Sequence, residues 1–240
     1  MKSVILRAVY PRRCPSCRGA VSPDLLICPD CAGAFKPIKP PFCLRCGRHT
    51  REDAEYCSEC ESKKHSYVSG IAVFEYDRRM KRSMSDFKFN GWKENADYYV
   101  YEALRLHSDD IAAFMPDILV PVPIHRSKLA YRGYNQAGIL AEGIGRGLGI
   151  RVVDDLLIRN KKTKAQKQLG AQNRGANLEN AFVCDTDRYG REDISGSFRR
   201  VMLVDDIYTT GSTMEGCTRA LLDAGVRQVG ILSIAAGGNI

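Results

Sequence analysis

Long apolar runs are missing from this 240-residue chain. A membrane span needs roughly 18–20 consecutive apolar residues, and nothing here approaches that. The first residues, MKSVILRAVYPRRC, hold a short apolar patch that Arg7 interrupts. It is too short and too charged for the apolar region of a secretory signal. The expectation is a cytoplasmic protein without membrane insertion. Disulfides are rare in that reducing compartment, so the ten cysteines need another use. Periodic apolar sequence is scarce over residues 1–65, which excludes a segment that folds by burial alone. Acidic residues are missing between positions 159 and 174, where six basic ones fall. Histidine is scarce too. His107 and His125 read as surface residues rather than catalysts, and no general base can be singled out.

What is present describes a globular chain, with 44% apolar and 27% charged residues. The length suits one α/β domain with a small appendage. The formal charge of +8 hints at an anionic partner. That sum counts every thiol as neutral, so the distribution of basic residues matters more than their sum.

Eight cysteines form CPSC, CPDC, CLRC and CSEC: Cys14, Cys17, Cys28 and Cys31, then Cys43, Cys46, Cys57 and Cys60. Both halves have the same C-x2-C spacing, separated by ten residues, which is an internal duplication. Two such turns complete a tetrahedron of soft thiolates, the set that suits Zn²⁺. Sequential sites need only short loops; an interleaved brace is the other possibility. A closed four-thiolate site leaves no open position for catalysis. These ions are therefore structural, two of them, and supply folding energy. Cys184 and Cys217 lie outside the array and read as small buried apolar residues.

From about residue 70 the pattern changes. Strands are expected at 71–76, 117–124, 152–158, 181–184, 201–204 and 229–235. Helices are expected at 134–149 and 212–225, each closed by glycine. This alternation gives an α/β fold with a mostly parallel sheet. The division expected is 1–65 as a zinc-binding domain and 66–240 as the α/β domain.

The stretch VMLVDDIYTTGST, residues 201–213, carries the chemistry. Ligands in open α/β sheets bind beyond the carboxyl ends of strands, where Asp205 and Asp206 are expected. Paired carboxylates accept hydrogen bonds from a vicinal diol such as a ribose. Thr209, Thr210, Gly211, Ser212 and Thr213 then open a helix, whose free N–H groups favour a phosphate. The simpler reading, a helix capped by one hydroxyl, leaves the other hydroxyls and both carboxylates unexplained. The combination describes a ribose 5-phosphate site.

The same stretch resembles the phosphoribosyl pyrophosphate (PRPP) loop of type I phosphoribosyltransferases. With VPVPIHRSKLAYRGYNQA (120–137), LIRNKKTKAQKQLGAQNRGANLENAF (157–182) and the cysteine array before them, it resembles the ComF family of competence proteins over nearly the whole chain. Tyr134 stands where phenylalanine is commoner. The resemblance implies a type I phosphoribosyltransferase-like fold, with Asp205 and Asp206 on the ribose and Thr209–Thr213 on the 5-phosphate. It implies a pyrophosphate loop around Val122, Pro123 and Arg126, with Arg132 nearby and Mg²⁺ bridging. The prolines there suit a tight backbone, including a cis bond; the alternative is a strand end with exposed arginines. A mobile hood is implied, and Arg159 with Lys161, Lys162, Lys164, Lys167 and Arg174 suits it, or else forms a solvated basic loop. The family also implies passage of incoming single-stranded DNA through the cytoplasm, beside a DNA-uptake helicase. Basic stretches at 78–93 and 159–174 could track phosphates. Phe87, Phe89, Trp92, Tyr98 and Tyr99 either stack on bases or pack in the core. The alternative function is an active transferase using PRPP as donor, with an acceptor the sequence leaves unnamed.

Overall fold

Strands buried on both faces read as continuous apolar runs, and the sheet is built from such runs. The computed structural model describes residues 12–159 and 181–237. Its strands are β1 (Ser69–Glu75), β2 (Ile118–Pro121), β3 (Arg151–Val152), β4 (Leu157–Arg159), β5 (Phe182–Cys184), β6 (Arg200–Tyr208) and β7 (Gln228–Ala236). Five of them form one parallel sheet in the order β1–β7–β6–β2–β3. The other two, β4 and β5, make a separate antiparallel pair. The segment 152–158 is not one strand. Asp154 and Asp155 interrupt it, and Asp155 turns to Arg188 at 2.5 Å.

The main helices are α1 (Arg78–Phe89), α2 (Asn95–Phe114), α3 (Arg126–Arg132), α4 (Gln136–Leu148) and α5 (Ser212–Asp223). Asp77 caps α1 by accepting the Met80 N–H at 2.8 Å. One sheet face packs Met202, Val204 and Leu232 against Met84, Phe87, Tyr99 and Leu140 of α1, α2 and α4. The opposite face packs Val201 and Leu203 with Met214, Cys217 and Leu221 of α5. Cys217 is fully buried, as expected, while Cys184 is only half-buried. His107 is not on the surface. It sits buried at a kink in α2, with Nδ1 2.8 Å from Asp110.

From β2 the chain moves outward to β3, and from β6 it moves the opposite way to β7. The carboxyl ends of β2 and β6 therefore flank a topological switch point, where an open α/β sheet forms its crevice.

The N-terminal cysteine segments repeat one turn. Cys14 N–H donates to Gly19 O (2.8 Å) and Arg18 N–H to Cys14 O (2.9 Å); Cys43 N–H donates to Arg48 O (2.7 Å) and Gly47 N–H to Cys43 O (2.8 Å). The residues after Cys17 and Cys46 are left-handed, Arg18 at φ 73° and Gly47 at φ 74°. Arg18 adopts a backbone unusual for a side-chain-bearing residue and clamps buried Asp86 of α1 with two bonds of 2.9 Å. The second segment lies on β1 so closely that a Cβ on Gly70 would come within 2.3 Å of the Arg45 carbonyl oxygen. The linker between the two segments pairs with the free edge of β1, through Ile38 N–H to Val73 O (3.0 Å) and Glu75 N–H to Lys36 O (2.9 Å).

Candidate functional site

Four sulfurs converge at each cysteine cluster. Cys14, Cys17, Cys28 and Cys31 lie within 4.8 Å of one another, and so do Cys43, Cys46, Cys57 and Cys60. The grouping is the sequential one. Cys17 and Cys28 sulfurs are 3.7 Å apart, as are those of Cys46 and Cys57. A Zn–S bond of about 2.3 Å puts tetrahedral ligands about 3.8 Å apart, so both sets fit structural zinc.

At the switch point β6 runs further than its apolar core predicts. Asp205 and Asp206 lie inside the strand, with Asp205 opposite Ser233 and Tyr208 opposite Ala236 of β7. The Asp206 N–H donates to Asp205 Oδ1 at 2.8 Å. Asp206 pairs with Lys88 Nζ of α1 at 2.7 Å, both side chains largely buried. Burial pushes Asp205 up to about 7, and the Asp206 charge adds to it. An unfolded aspartate titrates near 3.9. Between those values the folded chain keeps a proton that the unfolded chain releases, so stability falls as pH rises through that window. Asp205→Asn is expected to flatten this slope and to stabilise the unliganded chain above pH 7. Urea midpoints from pH 4 to 8 check it, and an unchanged slope contradicts the assignment.

The hydroxyl loop follows at once. Gly211 is the N-cap of α5, at φ 76°, and no side chain caps the helix. Instead Thr210 Oγ1 and Ser212 Oγ bond each other at 3.0 Å. The hydroxyls therefore do not serve as a helix cap, and the first N–H groups of α5 keep no side-chain acceptor. Thr209 and Thr210 are exposed; Ser212 and Thr213 are half-buried. Glu215, one turn on, accepts from Ser66 N–H and Oγ at 2.7 Å each and from Arg219 at 2.8 Å. Against the burial that raises it, hydrogen bonds from His65, Ser66 and Arg219 hold Glu215 down to about 2.

Across the crevice Val122 is buried and its N–H donates to Val204 O at 2.9 Å. No cis bond occurs at Pro121 or Pro123; among the described residues the cis peptide is Pro40–Pro41. The Val122 bond to Val204 carries β2 pairing one residue past Pro121, and Pro123, Ile124 and His125 then lead outside any strand to α3. Arg126 is exposed at the start of α3. Arg132 is not a free surface cation: it donates to Gln136 Oε1 at 2.9 Å and lies 4.7 Å over the Phe89 ring. His125 accepts from Ser127 N–H at 3.2 Å and so caps α3. Lys128 was not singled out by the sequence. Its ammonium is held below its usual value by desolvation first, then by Arg132, Arg159 and Lys88. Lys88 thus meets the acidic pair directly, and its charge is felt by Lys128 as well. Lys88 gave one sequence signal, its place in the basic stretch FKFN. Its pairing with Asp206 depends on long-range packing.

The basic segment expected to close over the site is only partly described. Arg159 ends β4 and lies 5.2 Å over the Phe182 ring; Lys161, Lys162, Lys164, Lys167 and Arg174 lie outside the described residues. Phe87, Tyr98 and Tyr99 are core residues and cannot stack on bases. Phe89 is half-exposed beneath Arg132, and Trp92 has Arg13 at 5.0 Å and Arg18 at 5.8 Å from its ring. A cavity of about 490 Å³ opens at the same edge of the sheet, between the second cysteine cluster and the ends of β1 and β7. Burial and the Asp206 charge both raise the Tyr76 phenol on its rim.

Paired zinc-ligand knuckles before a parallel sheet with an acidic strand end and a hydroxyl loop define a zinc-ribbon protein with a phosphoribosyltransferase-type domain. Residues 5–61 match the double zinc ribbon domain and residues 128–239 the phosphoribosyl transferase domain. The chain is 31% identical over 229 residues to Competence protein F of Haemophilus influenzae, covering 93% of this chain and 96% of that protein. It is 28% identical over 218 residues to Competence protein ComFC of Bacillus subtilis, covering 85% and 81%. It is also 28% identical over 206 residues to the DNA utilization protein YhgH of Escherichia coli K12, covering 85% and 87%. The chain belongs to the ComF family of competence proteins. Among the described residues no helix is long and apolar enough to cross a membrane.

Proposed function

We propose that this protein handles incoming single-stranded DNA in the cytoplasm during DNA uptake, beside a DNA-uptake helicase, and that its crevice binds PRPP with Mg²⁺. The observation that carries the ligand reading is the acidic pair of β6 beside an uncapped, hydroxyl-rich helix start. Asp205 and Asp206 would accept the ribose hydroxyls. Thr209, Thr210, Gly211, Ser212 and Thr213 would take the 5-phosphate. Lys88, Lys128 and Arg132, with Val122, Pro123 and Arg126 along the opposite wall, would face the pyrophosphate and its Mg²⁺. Charge neutralisation by these cations suits a group that carries several negative oxygens.

The DNA reading rests on the names of the relatives and on one basic face. Arg78, Arg79, Lys81 and Arg82 are exposed along α1. Arg79 reaches Ser16 at 3.2 Å, joining that helix to the first cysteine segment, whose Arg13 and Arg18 cover Trp92. Cations beside an aromatic ring suit a single strand. Single-stranded DNA binding is expected to weaken linearly on a log–log salt plot, at roughly 0.7 per phosphate neutralised. The double change Arg78→Ala/Lys81→Ala should lower that slope by about 1–2. A flat plot, or an unchanged slope, contradicts this face as the track.

The cavity near Tyr76 favours a second reading, a working transferase. Its 490 Å³ falls within the usual range of small-ligand sites, and it could house an acceptor. Release of pyrophosphate from PRPP that depends on an added nucleophile would support turnover; none across a broad panel of amines and nucleobases would reject it.

A further inference from the structure

We propose that Arg48 is a positioning residue that couples the second cysteine cluster to the hydroxyl loop, so that the loop takes its binding shape only on a folded second ribbon. The ligand part of this proposal rests on the reading of Thr209–Thr213 as a phosphate loop.

Arg48 is only 8% exposed. Its guanidinium spreads over four partners. Nε reaches Cys46 Sγ at 3.4 Å, and Nη2 reaches Cys57 Sγ at 3.5 Å and Glu59 Oε2 at 2.6 Å. Nη1 donates to the Gly237 carbonyl at 3.2 Å, where the chain leaves β7. The same group lies 5.2 Å over the ring of Tyr208, the last residue of β6. Lys63 holds Glu59 from the other side at 2.6 Å. One planar fork therefore joins two zinc-ligating sulfurs, the end of β7 and the end of β6. A lysine offers one point charge and cannot span these directions.

The link continues from Tyr208 into the loop. Its hydroxyl meets that of Tyr67 at 2.9 Å, and both tyrosines are buried. Gly211 rests directly on this pair. A Cβ built there would lie 2.5 Å from the Tyr208 hydroxyl oxygen and 2.8 Å from that of Tyr67. The loop backbone thus takes its height from two phenols, and the Tyr208 ring takes its place from Arg48. A separate tie, Ser66 to Glu215, holds α5 independently. Loss of the Arg48 link should shift the loop without releasing the helix.

The test uses the full zinc-loaded chain. Arg48→Lys and Tyr67→Phe are compared with Arg51→Ala, an exposed arginine on the same ribbon. Zinc content, the backbone amide signals of Thr210 and Gly211, and the affinities for PRPP and ribose 5-phosphate are measured. Tyr67→Phe touches no thiolate and serves even if Arg48→Lys disturbs metal retention. The proposal expects two zinc ions per chain in Tyr67→Phe and displaced Gly211 signals in both variants. It expects both ligands weakened by the same factor, about tenfold, with Arg51→Ala unchanged. Unmoved Gly211 signals with unchanged affinities overturn it, as does an equal loss in Arg51→Ala. If the wild-type chain binds neither ligand, the phosphate reading fails, and the Gly211 signals alone still decide whether Arg48 shapes the loop.

Discussion

Stripping zinc with a chelator is expected to unfold the first ribbon before the second. Binding of structural zinc is worth roughly 10–16 kcal/mol in small zinc-finger peptides, far more than either ribbon's apolar contacts can replace. The two ribbons differ in what remains once the metal has gone. Around the first site the buried apolar cluster is little more than Cys14, Val21 and Cys31, with Ile27, Cys28 and Ala34 packed on it. Its ligands are themselves its core. The second site is continuous with the main core, where Ile38, Cys43, Cys46 and Cys60 pack with Tyr67 and Ala72. Gly47 and Gly70 also press its backbone onto β1. Hydrogen exchange during chelation should lose protection over residues 12–34 first, with residues 43–60 following more slowly. Simultaneous loss over both segments would contradict this account of what each ribbon rests on.

Replacing Gly211 by alanine is expected to remove most PRPP affinity while leaving the fold standing. The backbone is left-handed there, at φ 76°, which costs an L-residue about 1–2 kcal/mol. The added methyl would also lie 2.5 Å from the Tyr208 hydroxyl oxygen, 2.8 Å from that of Tyr67 and 2.9 Å from His65 Cε1. Those rings are buried in the core, so the loop must move instead of them. A displaced loop cannot present its N–H and hydroxyl donors together to one phosphate. Affinity should fall on the order of 100-fold, or about 2.7 kcal/mol. The melting temperature should fall by only a few degrees. Calorimetry with thermal melting checks both. Unchanged affinity would show that the loop does not touch the ligand.

The residues legible in the sequence were those whose chemistry is local. The C-x2-C pairs announce their metal through spacing alone, and the short loops between them favour sequential grouping. The apolar runs VMLV and VGILSIA mark central strands, and Gly149 marks a helix end. The Asp–Asp–hydroxyl stretch is contiguous, so its residues arrive at one place whatever the rest of the chain does. What escaped depends on packing between distant segments. Lys88 meets Asp206 only because α1 covers the face of the sheet on which Asp206 lies. Lys128 feels the charges of Lys88 and Arg159 only because distant segments come together. Arg48 reads as one arginine among many until Gly237 and Tyr208 are brought beside it. For Phe87, Tyr98 and Tyr99 the sequence left base stacking and core packing open, and the structure puts all three in the core. Their burial is decided by the pairing of α1 with α2, which a list of residue types does not reveal.

The central claim, that β6 and its following loop form a PRPP site, is tested most directly by titrating PRPP with Mg²⁺ into the zinc-loaded protein by calorimetry. The double variant Asp205→Asn/Asp206→Asn serves as control, and ribose 5-phosphate as the truncated ligand. The account predicts saturable binding by the wild-type chain, weaker binding of ribose 5-phosphate, and no binding by the double variant. Ligand at about 100 times its Kd should also stabilise the fold by roughly 2.7 kcal/mol. Absence of both heat and thermal stabilisation in the wild-type chain, or equal binding by the double variant, would contradict it.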